Sequence, residues 1–390
     1  MVSNTTFSYA ILSWFRDNGR ALPWRDTTDP YPIWLSEVIL QQTRIAQGWE
    51  YWERFMRHFP TVEALASASE DEVLRLWQGL GYYSRARNLH AAARQIVALG
   101  QFPSTLEGIR QLKGVGDYTA AAIASFAFGI RAAVVDGNVY RVLSRHFGIS
   151  TPINSTQGKK EFAALAQSLL PPSEVSAYNQ GIMDFGALQC TPLSPRCSDC
   201  PLIESCEAFR TGRVEELPVK QRKLQIKTRR LAYIYIRCRE SASSQAFTAI
   251  HRRGEGDIWQ GLWEPFNASL PDGTRAATPA ELLQQLDCGA PDAHLRLLSQ
   301  GVKHVLTHRI LLADFYLLEV SRRPLLPPDY IWIPESEIDR YGVPRLIEKM
   351  LSEVHDRGNS EGRGIPRAFL RRLKRAPFLR RCHGQSAQAH

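Results

Sequence analysis

The chain has 390 residues, a formal net charge of +9 and a hydrophobic fraction of 44%, including nine tryptophans. This length allows two domains with buried cores, and the composition excludes a wholly disordered protein. No apolar run reaches the length of a membrane span, and residues 1–10 lack the basic and apolar regions of a secretion signal. We therefore expect a cytoplasmic protein with no membrane partner.

Basic charge is concentrated in two segments. Residues 210–230 contain eight Lys/Arg against two Asp/Glu, and residues 355–390 contain nine against two. Each segment could be a solvated, flexible stretch or an arm that follows a phosphate backbone. The composition alone leaves both interpretations open.

Hydrophobic periodicity divides the chain into two unlike halves. Apolar residues from Trp34 to Phe59 recur at three- and four-residue steps, which indicates one helix face. Further helices are predicted over 63–77, 84–99, 119–128, 278–286 and 343–354, and β-rich runs over 231–238 and 310–320. The predicted organisation is an all-α domain at 1–214, a basic linker at 215–230, an α+β domain at 231–354 and a basic, disordered tail at 355–390.

Four of the seven cysteines lie within seventeen residues, in the spacing C-x6-C-x2-C-x5-C: Cys190, Cys197, Cys200 and Cys206. In an intracellular protein such a group indicates a metal site rather than disulfides. Four thiolates can hold a zinc ion or a [4Fe–4S] cluster. Zinc ribbons usually pair two C-x2-C knuckles, and the presence of a single one favours the [4Fe–4S] cluster.

A glycine-containing turn is predicted in the segment Leu-Lys-Gly-Val-Gly-Asp-Tyr-Thr at 112–119. Gly114 and Gly116 permit a tight turn, and Gly116 leads directly into a helix N-terminus. Backbone N–H groups there can bind a DNA phosphate without reading the base sequence. An ordinary helix–helix turn would show the same pattern.

Two carboxylates are candidates for catalysis. Asp136, in Val-Asp-Gly-Asn-Val, precedes a predicted helix; it can serve as an N-cap and also stay ionised, because a helix N-terminus favours its charged form. Glu37 is flanked by Trp34 and Val38, and desolvation should raise its pKa, although it could equally be a surface residue beside the apolar stripe. Glycoside cleavage needs an acid for the leaving group and an ionised carboxylate for the oxocarbenium ion, so we predict pKa shifts in opposite directions.

Together these motifs resemble the helix-hairpin-helix DNA glycosylases that carry an iron–sulfur cluster. The similarity runs from about Trp14 to Cys206 and includes Leu-Pro-Trp at 22–24, Ser-Glu-Val-Ile-Leu-Gln-Gln-Thr-Arg at 36–44, Gly-Leu-Gly-Tyr-Tyr-Ser-Arg at 79–85, the hairpin, Val-Asp-Gly-Asn-Val and the four cysteines. The surroundings of Glu37 are similar to those in the MutY branch of adenine DNA glycosylases. The resemblance implies two helical lobes with DNA in the cleft between them.

The resemblance also implies roles in the chemistry. Glu37 would protonate adenine N7, and Asp136 would stabilise the oxocarbenium ion before water attacks. Asn138 and Tyr118 would line the same pocket and position water or Asp136. Leu22, Trp24 and Gln180 would contact the flipped adenine.

The lyase members of the superfamily carry a Lys nucleophile immediately before the Thr of the hairpin motif. Tyr118 occupies that position here, so imine chemistry is not expected and the enzyme should only hydrolyse the base. Lys113 replaces the usual Pro of this hairpin and should not substitute as the nucleophile.

The resemblance implies three kinds of DNA contact in this domain. Gln42 and Tyr82 would wedge into the duplex and repay the cost of unstacking, although core packing or a surface amide would otherwise explain them. Gly114 and Gly116 would bind the backbone, and Arg196 would contact a phosphate.

The second domain is similar to the Nudix-like domain that recognises 8-oxoguanine opposite adenine. The similarity rests on Trp-Gln-Gly-Leu-Trp-Glu at 259–264 and His-Val-Leu-Thr-His at 304–308, and no intact Nudix pyrophosphatase box is present. The usual Phe-Ser-His reading loop is Leu306-Thr307-His308. Thr307 keeps a hydroxyl, but Leu306 cannot stack as Phe would.

The expected function is base-excision repair by a monomer acting on duplex DNA with A:8-oxoguanine or A:G mispairs. Three other functions are compatible with parts of the sequence: a thymine- or uracil-mismatch glycosylase, a non-catalytic damage-binding protein and a zinc-dependent DNA-binding regulator. Glu37 and the extra domain argue against the first, and retention of both carboxylates argues against the second.

Overall fold

The computed structural model describes residues 4–221, 227–241, 244–269, 276, 278–286, 294–306 and 309–360. The chain divides into two compact units, residues 1–224 and 225–390. The first is helical and the second contains a mixed sheet, which confirms the predicted fold class. None of the described helices is long and apolar enough to cross a membrane.

The helical unit consists of α-helices joined by short turns. In chain order they are α1 Asn4–Asn18, α2 Pro30–Ile39, α3 Ile45–His58, α4 Val62–Ser67, α5 Glu70–Trp77, α6 Ser84–Leu99, α7 Leu106–Arg110, α8 Asp117–Phe128, α9 Gly137–Phe147, α10 Thr156–Ser168, α11 Val175–Leu188 and α12 Glu207–Arg210.

The prediction of one continuous helix face from Trp34 to Phe59 is wrong. Helix α2 ends at Ile39 and α3 begins at Ile45. Between them Gln42 has φ of 58°, a left-handed conformation that an α-helix of L-residues does not accommodate. The predicted helix over 63–77 is also divided, because Ser69 starts α5 with a capping box.

Four packed helices bring the candidate catalytic residues together. Helix α8 packs against α2 and α11, and α11 packs against α9. The apolar side chains beneath the site are fully buried, Trp34, Leu35, Val139 and Ile123 among them. The C-terminal end of α2 and the N-termini of α8 and α9 carry Glu37, Tyr118 and Asp136, respectively.

The second unit is built on a seven-stranded sheet with the order β3-β2-β1-β6-β5, in which β4 also pairs with β1 and β7 with β2. The strands are β1 Lys227–Cys238, β2 Phe247–Arg252, β3 Trp263–Glu264, β4 Phe266–Ser269, β5 His294–Val305, β6 Arg309–Val320 and β7 Tyr330–Pro334, and the helices are α13 Pro279–Gln285 and α14 Arg345–Ser360. The pair β1–β6 is parallel, with Leu231 opposite Ala313, and the other pairs are antiparallel.

Both faces of the central strands are buried. Along β1, Leu231, Tyr233 and Tyr235 face a core that includes Leu346 and Met350 of α14. Alternate residues of the same strand face a second core that includes side chains of α13. Burial on both faces explains why β1 and β6 are continuous apolar runs instead of alternating ones.

The predicted linker at 215–230 is wider than the segment between the two units. Leu217 is buried in the helical unit, where its carbonyl accepts a hydrogen bond from Arg145 Nε at 3.1 Å. The N–H of Ile153 donates to the carbonyl of Val219 at 3.0 Å, and β1 begins at Lys227. The predicted tail also starts later than 355, because α14 continues to Ser360; residues 361–390 lie outside the described residues.

Candidate active site

Glu37 lies on the last full turn of α2 and is 9% exposed. One of its carboxyl oxygens, Oε2, accepts a hydrogen bond from the Tyr118 hydroxyl at 2.9 Å. The Sδ atom of Met183, on α11, lies 3.5 Å from that hydroxyl oxygen. Glu37 is therefore buried, and the interpretation of it as a surface residue beside the apolar stripe is wrong.

The surroundings of Glu37 favour its protonated form. Burial raises the pKa of this carboxyl to about 7; the Tyr118 hydrogen bond lowers it, the Asp136 carboxylate raises it and the Arg25 guanidinium lowers it. A carboxylic acid with this pKa holds a proton near neutral pH and can release it there. This is the property predicted from its apolar neighbours.

Asp136 is the N-cap of α9. Its Oδ1 accepts hydrogen bonds from the backbone N–H groups of Asn138 at 2.9 Å and Val139 at 2.8 Å, and its Oδ2 accepts one from Asn138 Nδ2 at 2.7 Å. Burial raises the pKa of Asp136, although these three hydrogen bonds lower it. The predicted opposite directions are therefore wrong: burial raises both pKa values, and the number of donors distinguishes the two carboxylates.

A buried arginine connects Asp136 with the cysteine segment. Arg141 Nη2 donates to Asn138 Oδ1 at 2.9 Å, and its Nε donates to the carbonyl of Cys190 at 2.7 Å. Arg141 is 8% exposed. The rotamer of Asn138, and with it the hydrogen bond to Asp136, is thus fixed from the side of the cysteines.

The sequence analysis does not predict Arg25 and Asp184 as site residues, although the charge of Arg25 affects Glu37 and Asp184 binds Arg25. Asp184 is fully buried and accepts hydrogen bonds from Arg25 Nη1 at 2.8 Å and Nη2 at 2.9 Å, and it also contacts Arg20. Although burial raises its pKa, hydrogen bonds from Arg25 and Arg20 lower it to about 2. The available signals were the position of Arg25 directly after Leu-Pro-Trp and of Asp184 one turn after Gln180.

The three residues predicted to bind adenine lie in different surroundings. Gln180 is half-buried on α11, where its Nε2 donates to Ser176 Oγ at 3.0 Å. Leu22 and Trp24 are buried, and the Trp24 ring packs edge-on against those of Trp49 and Trp52. Contact with a base stays a prediction for all three.

The two predicted wedge residues are both exposed and both have left-handed backbone. Gln42 has φ of 58° in the turn after α2, and Tyr82 has φ of 48° in the turn before α6. The Tyr82 side chain is 49% exposed. Core packing is therefore wrong for both positions, whereas a surface amide still describes Gln42, and entry into the duplex stays a prediction.

The predicted hairpin connects α7 and α8. Gly114 has φ of +76°, and a Cβ atom at this position would lie 2.6 Å from Cβ of Asn88, so the turn requires glycine. Gly116 is the N-cap of α8, and a Cβ atom at this position would have no other atom within 4 Å. Lys113 is exposed on the hairpin, and its backbone N–H donates to Gln95 Oε1 at 2.7 Å.

All four clustered cysteines are free thiols. They lie close enough that the charge of Cys190 raises the pKa values of Cys197, Cys200 and Cys206, in each case after burial as the larger cause. Arg145 Nη1 lies 3.4 Å from Cys190 Sγ and offers positive charge to a thiolate. Nowhere in the described residues do three His, Cys, Asp or Glu side chains converge as they would around one metal ion.

The segment between the first two cysteines is anchored at its end. Arg196 is exposed, but its Nη2 donates to Gln189 Oε1 at 3.0 Å and Gln189 Nε2 donates back to the Arg196 carbonyl at 2.5 Å. Leu193, between Cys190 and Cys197, is 86% exposed, so the middle of this segment faces solvent while its end is held by Gln189.

In the second unit, the structure describes one of the three predicted lesion-reading residues. Leu306 is partly buried against the core that faces α14, and its N–H donates to the Arg309 carbonyl at 2.8 Å. Thr307 and His308 lie outside the described residues. Near Leu306, the rings of His304 and Trp259 meet edge to face at 5.6 Å.

Comparison with known proteins defines the class first. Residues 35–172 match the family model of the HhH-GPD superfamily of base excision DNA repair proteins, and residues 235–353 match the model of the NUDIX domain. The solved structure of a thermostable thymine-DNA glycosylase is similar, with 32% identity and a TM-score of 0.50, over 53% of this chain and 97% of that one.

Similarity over nearly the full length then identifies the family. The chain is 33% identical to the adenine DNA glycosylase of Mus musculus, over 92% of this chain and 80% of that protein. It is 29% identical to the adenine DNA glycosylase of Buchnera aphidicola subsp. Schizaphis graminum, over 88% of this chain and 97% of that protein. The chain belongs to the adenine DNA glycosylase family, which confirms the predicted base-excision-repair DNA N-glycosylase.

Proposed function

We propose that this enzyme hydrolyses the glycosidic bond of adenine paired with 8-oxoguanine or G in duplex DNA, and that it acts as a monomer. The observation that carries the proposal is the cluster of Glu37, Tyr118 and Asp136: the Tyr118 hydroxyl donates to Glu37, and the charge of Asp136 raises the pKa of Glu37. This pairing is what departure of a base and stabilisation of an oxocarbenium ion require.

Glu37 is the general acid. Its pKa of about 7 leaves much of it protonated at neutral pH. Tyr118 donates to Oε2, so the proton of Glu37 is available on Oε1 for N7 of a flipped adenine. Protonation turns adenine into a neutral leaving group.

Asp136 stabilises the positive charge that develops on the sugar. Three N–H donors fix both of its oxygens before substrate binds, so little reorganisation is needed in the transition state. Asn138 and Tyr118 position a water molecule or Asp136, and the water then attacks the oxocarbenium ion. Tyr118 has no amine and Lys113 is an exposed hairpin residue, so we expect no imine and no strand cleavage.

The same geometry supports base flipping. Gln42 and Tyr82 are exposed residues held in strained backbone conformations, as expected for side chains that enter the duplex. Gly114 and Gly116 open the start of α8 to a phosphate, and Gln180 on α11 carries an amide that can hydrogen-bond the adenine.

Cys190, Cys197, Cys200 and Cys206 would hold a [4Fe–4S] cluster. The chemistry of the donors supports this: four free thiols lie near enough to affect each other's charge, and the Arg145 guanidinium beside Cys190 can offset thiolate charge. When bound, such a cluster would cross-link this segment and fix the loop that carries Arg196. The Nudix-like unit would read 8-oxoguanine, with Leu306 in place of a stacking aromatic residue.

The test is a set of end-labelled duplexes containing A:8-oxoguanine, A:G, T:G and U:G, each incubated with the full chain and split into samples with and without alkali. We expect adenine release from the first two, and strand breaks only after alkali. Release of thymine without adenine would contradict the substrate, and breaks without alkali would contradict the role of Tyr118.

Asp136→Asn tests the carboxylate. Asn can still cap α9, so the variant should fold and bind duplex DNA but release no base. Retention of near-normal excision would remove Asp136 from the mechanism.

A further inference from the structure

The two exposed turns that carry Gln42 and Tyr82 are joined by a single guanidinium group. Arg85, the second residue of α6, is half-buried. Its Nη1 lies at hydrogen-bond distance from three backbone carbonyls at the end of α2: those of Val38 at 2.9 Å, Ile39 at 3.1 Å and Gln41 at 2.6 Å.

The other side of the same group contacts the second turn. Nη2 of Arg85 donates to the Gly81 carbonyl at 3.3 Å. The guanidinium carbon lies 5.0 Å from the centre of the Trp77 ring and 5.6 Å from that of the Tyr82 ring. Arg85 thus holds Gln41 and Gly81, the residues immediately before Gln42 and Tyr82.

Both wedge residues need such support. Gln42 and Tyr82 have φ of 58° and 48°, conformations that are unfavourable for non-glycine residues and persist only where the surroundings impose them. The Tyr82 turn has further support, because Tyr51 donates to the Gln78 carbonyl at 2.7 Å and Trp77 Nε1 to the Gly81 carbonyl at 3.0 Å. Those contacts hold one turn, whereas Arg85 contacts both.

The chemistry of these contacts is specific to arginine. The last carbonyls of a helix have no partners within the helix, and a cation is favoured there. A planar guanidinium can donate in its plane to carbonyls of two segments while its faces meet aromatic rings, whereas an ammonium group cannot do both.

We infer that Arg85 is a positioning residue that makes Gln42 and Tyr82 act as one unit and couples them to the helix that carries Glu37. The inference rests on the proposed wedge role of these two residues. It predicts that Arg85 contributes to base unstacking and to excision through the wedge residues, and contributes little when they are absent.

The experiment uses the full chain and four variants: Arg85→Lys, the pair Gln42→Ala/Tyr82→Ala, the triple variant, and Arg94→Lys as a control. Arg94 is exposed on the same helix and its Nε donates to one carbonyl, that of Ala66, at 3.3 Å. Single-turnover excision is measured on an A:G duplex. Unstacking is followed by the fluorescence of a 2-aminopurine beside the mispair, and thermal unfolding reports on folding.

We expect Arg85→Lys to lower both excision and the fluorescence increase, excision by about tenfold, while the control variant keeps both. In the background lacking both wedge side chains, the same change should have almost no further effect. Equal tenfold losses in both backgrounds would show that Arg85 acts elsewhere and would overturn the inference alone. Unchanged excision and fluorescence in the Gln42→Ala/Tyr82→Ala variant would overturn the wedge role, and the inference with it.

Discussion

Each unit contains a buried glutamate that accepts a hydrogen bond from a tyrosine hydroxyl. Tyr118 donates to Glu37 in the helical unit and Tyr233 donates to Glu264 in the second unit, both at 2.9 Å. Glu264 also forms an ion pair with Arg253 at 2.5 Å, and its Oε1 lies 3.2 Å from His251 Nε2. Within the described residues, Glu37 forms no ion pair.

This difference in ion pairing indicates why a buried carboxyl group such as Glu37 keeps its proton near neutral pH. In the active site, Arg25 is the cation that corresponds to Arg253. Its guanidinium is hydrogen-bonded to Asp184, however, and affects Glu37 only through its charge. A carboxylate bonded to a counter-ion has a partner for its negative charge, whereas one that lacks such a partner keeps its proton. Burial and a phenol are common to both sites, so the counter-ion distinguishes Glu264 from Glu37, the glutamate that we propose is catalytic.

Replacing each glutamate by glutamine should give the largest effects. One replacement should lower the excision rate, and the other should lower the free energy of unfolding. Glu37→Gln removes the proposed general acid, and single-turnover excision should fall about 1000-fold in a folded protein. Glu264→Gln removes one of the two carboxylates that pair with the buried Arg253, the other being Asp257, so it should lower the free energy of unfolding by about 2 kcal/mol. The measurements are excision at saturating enzyme and denaturant unfolding.

In this comparison, Glu264→Gln should leave the rate of the chemical step unchanged at a temperature where the protein is folded. Loss of excision to the extent seen in Glu37→Gln would show that the two glutamates are not functionally distinct.

The dependence of stability on pH gives the next largest effect. The pKa of Glu37 is raised from 4.5 to about 7 in the folded state, so folding favours its protonated form. The stability from this proton is complete below pH 4.5 and is lost as the pH rises to about 7. Glu37→Gln avoids that loss, and its stability relative to the wild type should rise by about 3 kcal/mol between pH 4.5 and pH 8.

Denaturant unfolding of the two proteins at several pH values measures this difference. A difference that stays constant from pH 4.5 to pH 8 would show that the Glu37 pKa is not raised by folding.

Sequence patterns predicted those parts of the site that depend on local order. The predicted helix at 84–99 matches α6, and Asp136 caps α9 as its position before a helix indicated. The division of 63–77 was also predictable, because Ser69 and Glu72 form the spacing of a capping box.

Features created by tertiary contact were not predictable in the same way. Apolar periodicity continues from Trp34 to Phe59 across a left-handed residue, so it gave no sign of the turn at Gln42. The direction of the Asp136 pKa depends on burial by distant helices, which outweighs its local hydrogen bonds. Arg25 and Asp184 are 159 residues apart, and no local pattern links them.

Removing each tyrosine hydroxyl should give the smallest effect and test the comparison most finely. The Tyr118 hydrogen bond lowers the pKa of Glu37, so Tyr118→Phe should raise that pKa above its value of about 7. Protonated Glu37 is the active form in the proposed mechanism, so the alkaline limb of the excision rate should move to higher pH, by less than about one unit. Tyr233→Phe, the matched change in the second unit, should leave that limb in place. Single-turnover rates from pH 5 to 9 decide the matter, and a shift toward lower pH in Tyr118→Phe would show that the hydroxyl stabilises the protonated acid instead of the carboxylate.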